Sequence, residues 1–197
     1  MRKSNNHREC VLICGMSTHG KSNFANELAY NYNRVVIMDP LNEYDGKYLY
    51  TPRRIEQHME DSPIFRIATN SIIKFDEVCG LVMKHASPMQ RITLMIDEIT
   101  RLEFDQKLNE FPNFKNIVYG GGHEHVDLIA VTQRFSDFPK ALRAAAWTRI
   151  VAFCQTDEDD LRRLKKITSR ETAEEIAKLQ PRNYISITNQ KIERGHT

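Results

Sequence analysis

The stretch Gly15-Met16-Ser17-Thr18-His19-Gly20-Lys21-Ser22 constrains this chain more than any other feature of it. It fits the pattern G-x-x-x-x-G-K-[ST], which works only when a strand feeds the loop and a helix leaves it. Both flanks are present: an apolar run at 10–14 precedes it and a helix-like segment at 21–30 follows. Gly15 and Gly20 let the backbone turn successive N–H groups toward phosphates, and the helix adds its positive N-terminal end. Lys21 is expected to neutralise the β- and γ-phosphates of ATP, and the Ser22 hydroxyl to be a ligand of Mg²⁺. The expected nucleotide contacts are Gly15, Met16, Ser17, Thr18, His19, Gly20, Lys21, Ser22 and Asn23. The alternative, a glycine turn beside an exposed lysine, does not explain the strand and helix on either side.

The rest of the chain repeats that local order. Short apolar runs at 10–14, 34–38, 64–68, 92–96, 128–132 and 149–154 alternate with helix-like segments, as parallel strands joined by crossover helices do. The runs are continuous because both faces of such a sheet are covered. Helices are expected at 21–30, 72–85, 157–166 and 171–179, and a last short strand at 184–187. Thr156 with Asp159, and Thr168 with Glu171, have capping-box spacing. Glu158 with Arg162, and Asp159 with Arg163, are spaced for i,i+4 ion pairs. The fold class is therefore α/β with a mostly parallel central sheet. The 197 residues, 41% of them hydrophobic, suit one domain with a core over about 9–188 and loose termini, the tail from Gln190 included.

Charge is nearly balanced, 28 basic against 26 acidic residues, so contact with a polyanion must come from local clustering. No Cys-x-x-Cys pair occurs among Cys10, Cys14, Cys79 and Cys154, which fits a reducing compartment. The N-terminus lacks an apolar signal core, and no run approaches the roughly 20 residues of a membrane span. A soluble, intracellular protein is expected.

A second chemical element is Thr93-Leu94-Met95-Ile96-Asp97-Glu98, an apolar strand ending in two acids. This is the form of a Walker-B segment: Asp97 is expected on the Mg²⁺ side, partly through water, and Glu98 is expected to polarise the attacking water. Asp39 and Glu43 are expected near the same site, on the expectation that the second strand ends beside the P-loop strand.

Three stretches then carry a resemblance: Met38-Asp39-Pro40-Leu41-Asn42-Glu43-Tyr44, the Asp97-Glu98 pair, and Val126-Asp127-Leu128-Ile129-Ala130-Val131-Thr132-Gln133-Arg134. Together with the P-loop they resemble the HerA-FtsK family of DNA-translocating ATPases over about residues 10–184, and in particular its small viral genome-packaging branch. The resemblance implies a RecA-like ASCE sheet in which the strand after Walker B lies between the Walker-A and Walker-B strands. It implies that Gln133 senses the γ-phosphate. It also implies a homo-oligomeric ring, a pentamer or hexamer, in which an arginine of one subunit reaches its neighbour's nucleotide. Where many relatives carry basic residues before the glutamine strand, this chain reads Gly120-Gly121-Gly122-His123-Glu124-His125. Arg149 is instead the candidate trans arginine, with Arg134 and Arg143 as alternatives. Without a separate barrel, membrane anchor or DNA-reading domain, the chain is similar to the minimal viral motors, for which a capsid portal or vertex protein is the expected docking partner. The location would then be the host cytoplasm or the virion vertex.

The remaining features are blander. His123 and His125 on a glycine-rich loop lack a third spaced ligand, so zinc is not expected; the loop suits a segment facing a ring's channel. Lys140, Arg143, Arg149, Arg162, Arg163, Lys165 and Lys166 form a loosely basic region suited to the backbone of double-stranded DNA without base reading. Motors for plasmid transfer or DNA-end processing share this chemistry. Outside that class, a P-loop small-molecule kinase and an ATP-switched binding module stay open; the kinase would not need Gln133, and Glu98 argues against the switch.

Overall fold

The structure is a computed structural model that describes residues 8–102, 108–136, 138, 147–188 and 191–197. In chain order it contains β1 (Cys10–Cys14), α1 (Lys21–Ala29), β2 (Arg34–Met38), β3 (Lys47–Tyr48), α2 (Pro52–Asp61), β4 (Phe65–Thr69), α3 (Phe75–His85), β5 (Ile92–Ile96), α4 (Pro112–Gly120), β6 (Val126–Thr132), β7 (Arg149–Ala152), α5 (Glu158–Ile167), α6 (Arg170–Ile176), β8 (Asn183–Thr188) and β9 (Lys191–His196). The strands form one sheet in the order β3-β4-β2-β5-β6-β1-β7-β8-β9. It is parallel from β3 through β7, and β8 and β9 are antiparallel additions. β6 thus lies between β1 and β5, the insertion that the resemblance implies.

The continuous apolar runs have the expected cause. All five residues of β1, β2 and β5 are buried, and all seven of β6. Alternate residues feed opposite faces. Cys10, Leu12, Leu94 and Leu128 pack with α2, α3 and α4, while Val11, Ile13, Met95 and Ile129 pack with α1. Cys14 and Ala152 extend the first face over α5 and α6 through Leu164, Ala173 and Ile176. All four cysteines are free and buried, and burial pushes the Cys14 thiol up to about 12, so they act as packing groups.

Several expectations are corrected. Both late helices cap one residue further on than the box spacing places them: Asp157 accepts from the Asp159 and Asp160 amides, and Ser169 from that of Thr172. Arg162 pairs with Asp159 at i,i+3, at 2.6 Å, rather than with Glu158. β2 does not border β1, since β5 and β6 stand between them. The tail forms β9: its backbone pairs with β8 from Thr188↔Lys191 to Asn183↔His196, and Arg194 donates through Nε and Nη2 to the two carboxylate oxygens of Glu175 in α6. A strand exposed on both faces carries no apolar period, so its sequence reads as loose. β3, α2 and α4 are further elements outside the sequence-based expectation.

Candidate functional site

The carboxyl ends of β1, β6 and β5 lie side by side, and the loops leaving them bring three chemical elements together. The first is the loop after β1. Gly15 has φ 154 and its Cα presses against Phe153, where a Cβ would stand 2.4 Å from the Phe153 Cβ. Gly20, at φ 100, is the left-handed residue that opens α1, and Thr18 takes φ 65 between them. The Met16 amide donates to the Cys154 carbonyl, and the Arg182 amide donates to that of His19. The loop is therefore braced by the residues that follow β7 and by the turn that enters β8. Within it, Thr18 Oγ1 donates to the Ser17 carbonyl and His19 Nδ1 lies 2.9 Å from the same oxygen. Asn23 lies on the exposed side of α1.

Lys21 is 7% exposed and its Nζ donates to the Met16 carbonyl at 3.0 Å. Burial pulls its pKa down, and the neighbouring Glu98, Asp97 and Glu43 oppose that shift. A buried ammonium among carboxylates at a loop of positive-φ residues is suited to an anion such as a triphosphate.

The second element is the end of β5. Asp97 is 4% exposed, its amide donates to the Met38 carbonyl, and its Oδ1 accepts from the Tyr44 hydroxyl at 3.0 Å. Burial first raises its pKa, to about 6. The Tyr44 bond works against the rise, and Glu98, Glu43 and Asp39 add to it. Glu98 follows with φ 46, a left-handed conformation for a non-glycine residue.

The third element is the exit of β6. Gln133 Nε2 donates to Glu98 Oε1 at 2.8 Å, while its Oε1 accepts from Ser17 Oγ at 3.2 Å. One amide therefore joins the P-loop to the glutamate that follows Asp97. Gln155, 1% exposed, holds the Gln133 carbonyl through Nε2 at 3.1 Å. Arg134 pairs with Asp157 at 2.7 Å and approaches the fully buried Asp160 at 3.7 Å.

Glu43 does reach the site, as a loop residue and not through strand adjacency: Ser22 Oγ donates to its Oε2 at 3.3 Å. Asp39 instead pins that loop, accepting the Glu43 and Tyr44 amides and the Tyr48 hydroxyl. Tyr44, Gln155 and Phe153 were missed by sequence reasoning because no spacing marks them; their roles come from tertiary contact.

The donor set suits Mg²⁺. Ser22, Asp97 and the nearby carboxylates offer hard oxygens, and their mutual repulsion is what a divalent cation relieves. Among the described residues the ligand atoms of the acids here are not gathered as a compact three-ligand group; the one such group is Glu56, Glu60 and His85, on α2 and α3. Few direct protein ligands match an ion that keeps waters and binds phosphate oxygens.

Arg149 lies at the opposite end of the sheet from the P-loop. It begins β7, opposite Val11, its Nε donates to Ser186 Oγ at 2.8 Å, and its guanidinium lies over the Phe24 ring. Arg143 and Lys140 fall outside the described residues. The turn at 121–125 is also at that opposite end, feeding the start of β6. Gly120 and Gly122 face open space, whereas Gly121 packs on Arg8, which donates to the Ile117, Val118 and Val126 carbonyls. No helix among the described residues is long and apolar enough to cross a membrane.

No protein-family profile matches the sequence, and no curated protein matches it. Solved structures do. The genome packaging NTPase B204 from Sulfolobus turreted icosahedral virus 2, in complex with AMPPCP, superposes with a TM-score of 0.77 at 19% identity over 98% of both chains. The same protein in complex with sulfate gives 0.78 at 21% identity over 96% of both chains. VirB4 of Thermoanaerobacter pseudethanolicus gives 0.66 at 10% identity, covering 98% of this chain and 90% of that one. The fold shared with these structures is α/β with a mostly parallel sheet.

Proposed function

We propose that this chain hydrolyses ATP to ADP and phosphate and couples turnover to movement of double-stranded DNA, as a genome-packaging motor that loads DNA into a capsid. The observation that carries the reading is the Gln133 amide, which joins Ser17 of the P-loop to Glu98. A group so placed meets the terminal phosphate and the water-activating carboxylate together, which a kinase has no need of. Likeness to a genome packaging NTPase over nearly the whole chain supports the use to which turnover is put.

In this reading the Lys21 ammonium leaves the Met16 carbonyl for the β- and γ-phosphates. Glu98 accepts the proton of the attacking water, and Gln133 orients the γ-phosphate. Ser22 and Asp97 would hold Mg²⁺, which supplies charge neutralisation of the phosphate oxygens. The motor works as a ring of copies, pentamer or hexamer, docked at a portal or vertex protein in the host cytoplasm or on the virion. A neighbour's Arg149 would complete the site, and using it requires releasing Ser186 and the Phe24 ring. Arg162, Arg163, Lys165 and Lys166 on α5 are the basic side chains proposed to track the DNA backbone.

The test is steady-state ATP hydrolysis with Mg²⁺, with and without long double-stranded DNA, at two salt concentrations. Stimulation by DNA that fades with salt is expected, because phosphate contacts release counterions. Turnover indifferent to DNA in an assembled ring would refute the coupling.

A further inference from the structure

We infer that Tyr44 is a positioning residue that orders Asp97 for the metal ion of the nucleotide. The inference rests on the nucleotide-site reading above and adds to it a role for Tyr44 that the sequence alone does not indicate.

Ser22 lies in the first turn of α1 and Asp97 follows β5, and β6 separates β1 from β5 in the sheet. Tyr44 reaches Asp97 from the loop after β2, the strand beside β5. Its ring is 3% exposed and packs with Ile37, Ala68 and the rest of the α1-side core. Its hydroxyl donates to Asp97 Oδ1 at 3.0 Å. The turn that delivers the ring is built for the purpose. Asp39, fully buried at the end of β2, accepts the Glu43 and Tyr44 amides at 3.0 and 2.9 Å and also the Tyr48 hydroxyl. Glu43, one residue earlier, meets the Ser22 hydroxyl from the solvent side.

A carboxylate that holds a cation through one oxygen has its orientation fixed by whatever occupies the other. The phenol does this for Asp97. The Tyr48–Asp39–Tyr44–Asp97 chain therefore passes the rigidity of the β2–β4 edge to the metal side of the site.

Tyr44→Phe keeps the ring and its packing and deletes only the hydroxyl. The measurement is binding of a fluorescent ATP analogue, first in EDTA and then across a Mg²⁺ titration, with thermal melting of the free protein beside it. Affinity in EDTA should stay close to that of the parent, and the melting temperature should fall by a few degrees, since Asp97 Oδ1 loses its buried donor. The Mg²⁺ concentration that gives the half-maximal gain in affinity should rise about tenfold, the low end of the effect of losing an outer-shell partner. An unchanged Mg²⁺ midpoint, or an equal loss with and without Mg²⁺, would overturn the assignment and leave a packing role. Should Tyr44→Phe not fold, Tyr48→Phe loosens the same turn from Asp39 and should move the midpoint in the same direction; no movement overturns the assignment. If the parent binds no nucleotide under either condition, the nucleotide-site reading falls and the inference with it; if the parent binds and the variants match it, only the inference falls.

Discussion

Asp97→Asn separates the cost of the acid from its use. Asp97 is 4% exposed, and burial raises its pKa from an ordinary 3.8 to about 6. An acid held that high costs about 3 kcal/mol to ionise in the folded protein at neutral pH. The sign follows from proton binding: between about pH 4 and pH 6 the folded state keeps a proton that the unfolded state has lost. Stability contributed by this group therefore falls as pH rises through that window, and the penalty is complete above it. The asparagine removes the charge and keeps an oxygen for the Tyr44 hydroxyl. In EDTA, without nucleotide, the variant should exceed the parent at pH 7.5 by about 1–3 kcal/mol, or about 2–12 °C at 2–4 °C per kcal/mol for a chain of this size. The advantage should shrink below about 1 kcal/mol near pH 4. Calorimetric melts at pH 7.5, 6 and 4.5 read this directly, and adding Mg·ATP should reverse the order because only the parent gains the metal-dependent binding. A variant less stable than the parent at pH 7.5, or an advantage independent of pH, would refute the reasoning.

Other outcomes follow from the same contacts. Lys21→Ala should abolish nucleotide binding, measured by fluorescence anisotropy, since it removes the buried ammonium of the site. Glu98→Gln should retain ATP and stop phosphate release, checked by single-turnover assay; rapid turnover would overturn the assignment of Glu98 as base. Gly15→Ala should destabilise the fold by at least about 2 kcal/mol in a urea titration, because its Cβ would meet Phe153 at 2.4 Å and its φ of 154 disfavours any side chain. Gly120→Ala with Gly122→Ala meets open space, so melting and nucleotide affinity should hold, and a selective loss of DNA movement would place this turn in the DNA channel.

Much of this was legible in the sequence, for identifiable reasons. β1, β2, β5 and β6 are buried on both faces, so each is a continuous apolar run whose ends fall near turn residues. The P-loop announces itself because glycine is needed where φ is positive, at 15 and 20. The failures have physical causes too. α2 is strongly polar, with only Ile55 and Met59 buried, so one apolar side chain per turn was too thin a stripe to read. The caps at Asp157 and Ser169 were misplaced by one residue because Thr156 and Thr168 offer equally competent side chains beside them. At the site, Gln133 and Glu98 were visible as strand ends, but their bond to each other depends on β6 and β5 being neighbours. The participation of Tyr44 and Gln155 depends on a turn pinned by Asp39 and on the register of β7 against β1, and neither is written in local spacing.

The pairing of Arg134 with Asp157 and Asp160 makes the exit of β6 and the start of α5 one joint. α5 has 10 residues, so its far end stands about 15 Å from that joint. A rotation of about 13° at the joint would carry that far end through about 3.4 Å, the axial spacing between successive phosphates of one DNA strand. In the proposed motor, a displacement of Gln133 too small to disturb the sheet would be enlarged by this lever into a movement that matches one step along the polymer. Distances between spin labels on α5 and β1, measured with ATP and with ADP, would show whether that lever swings.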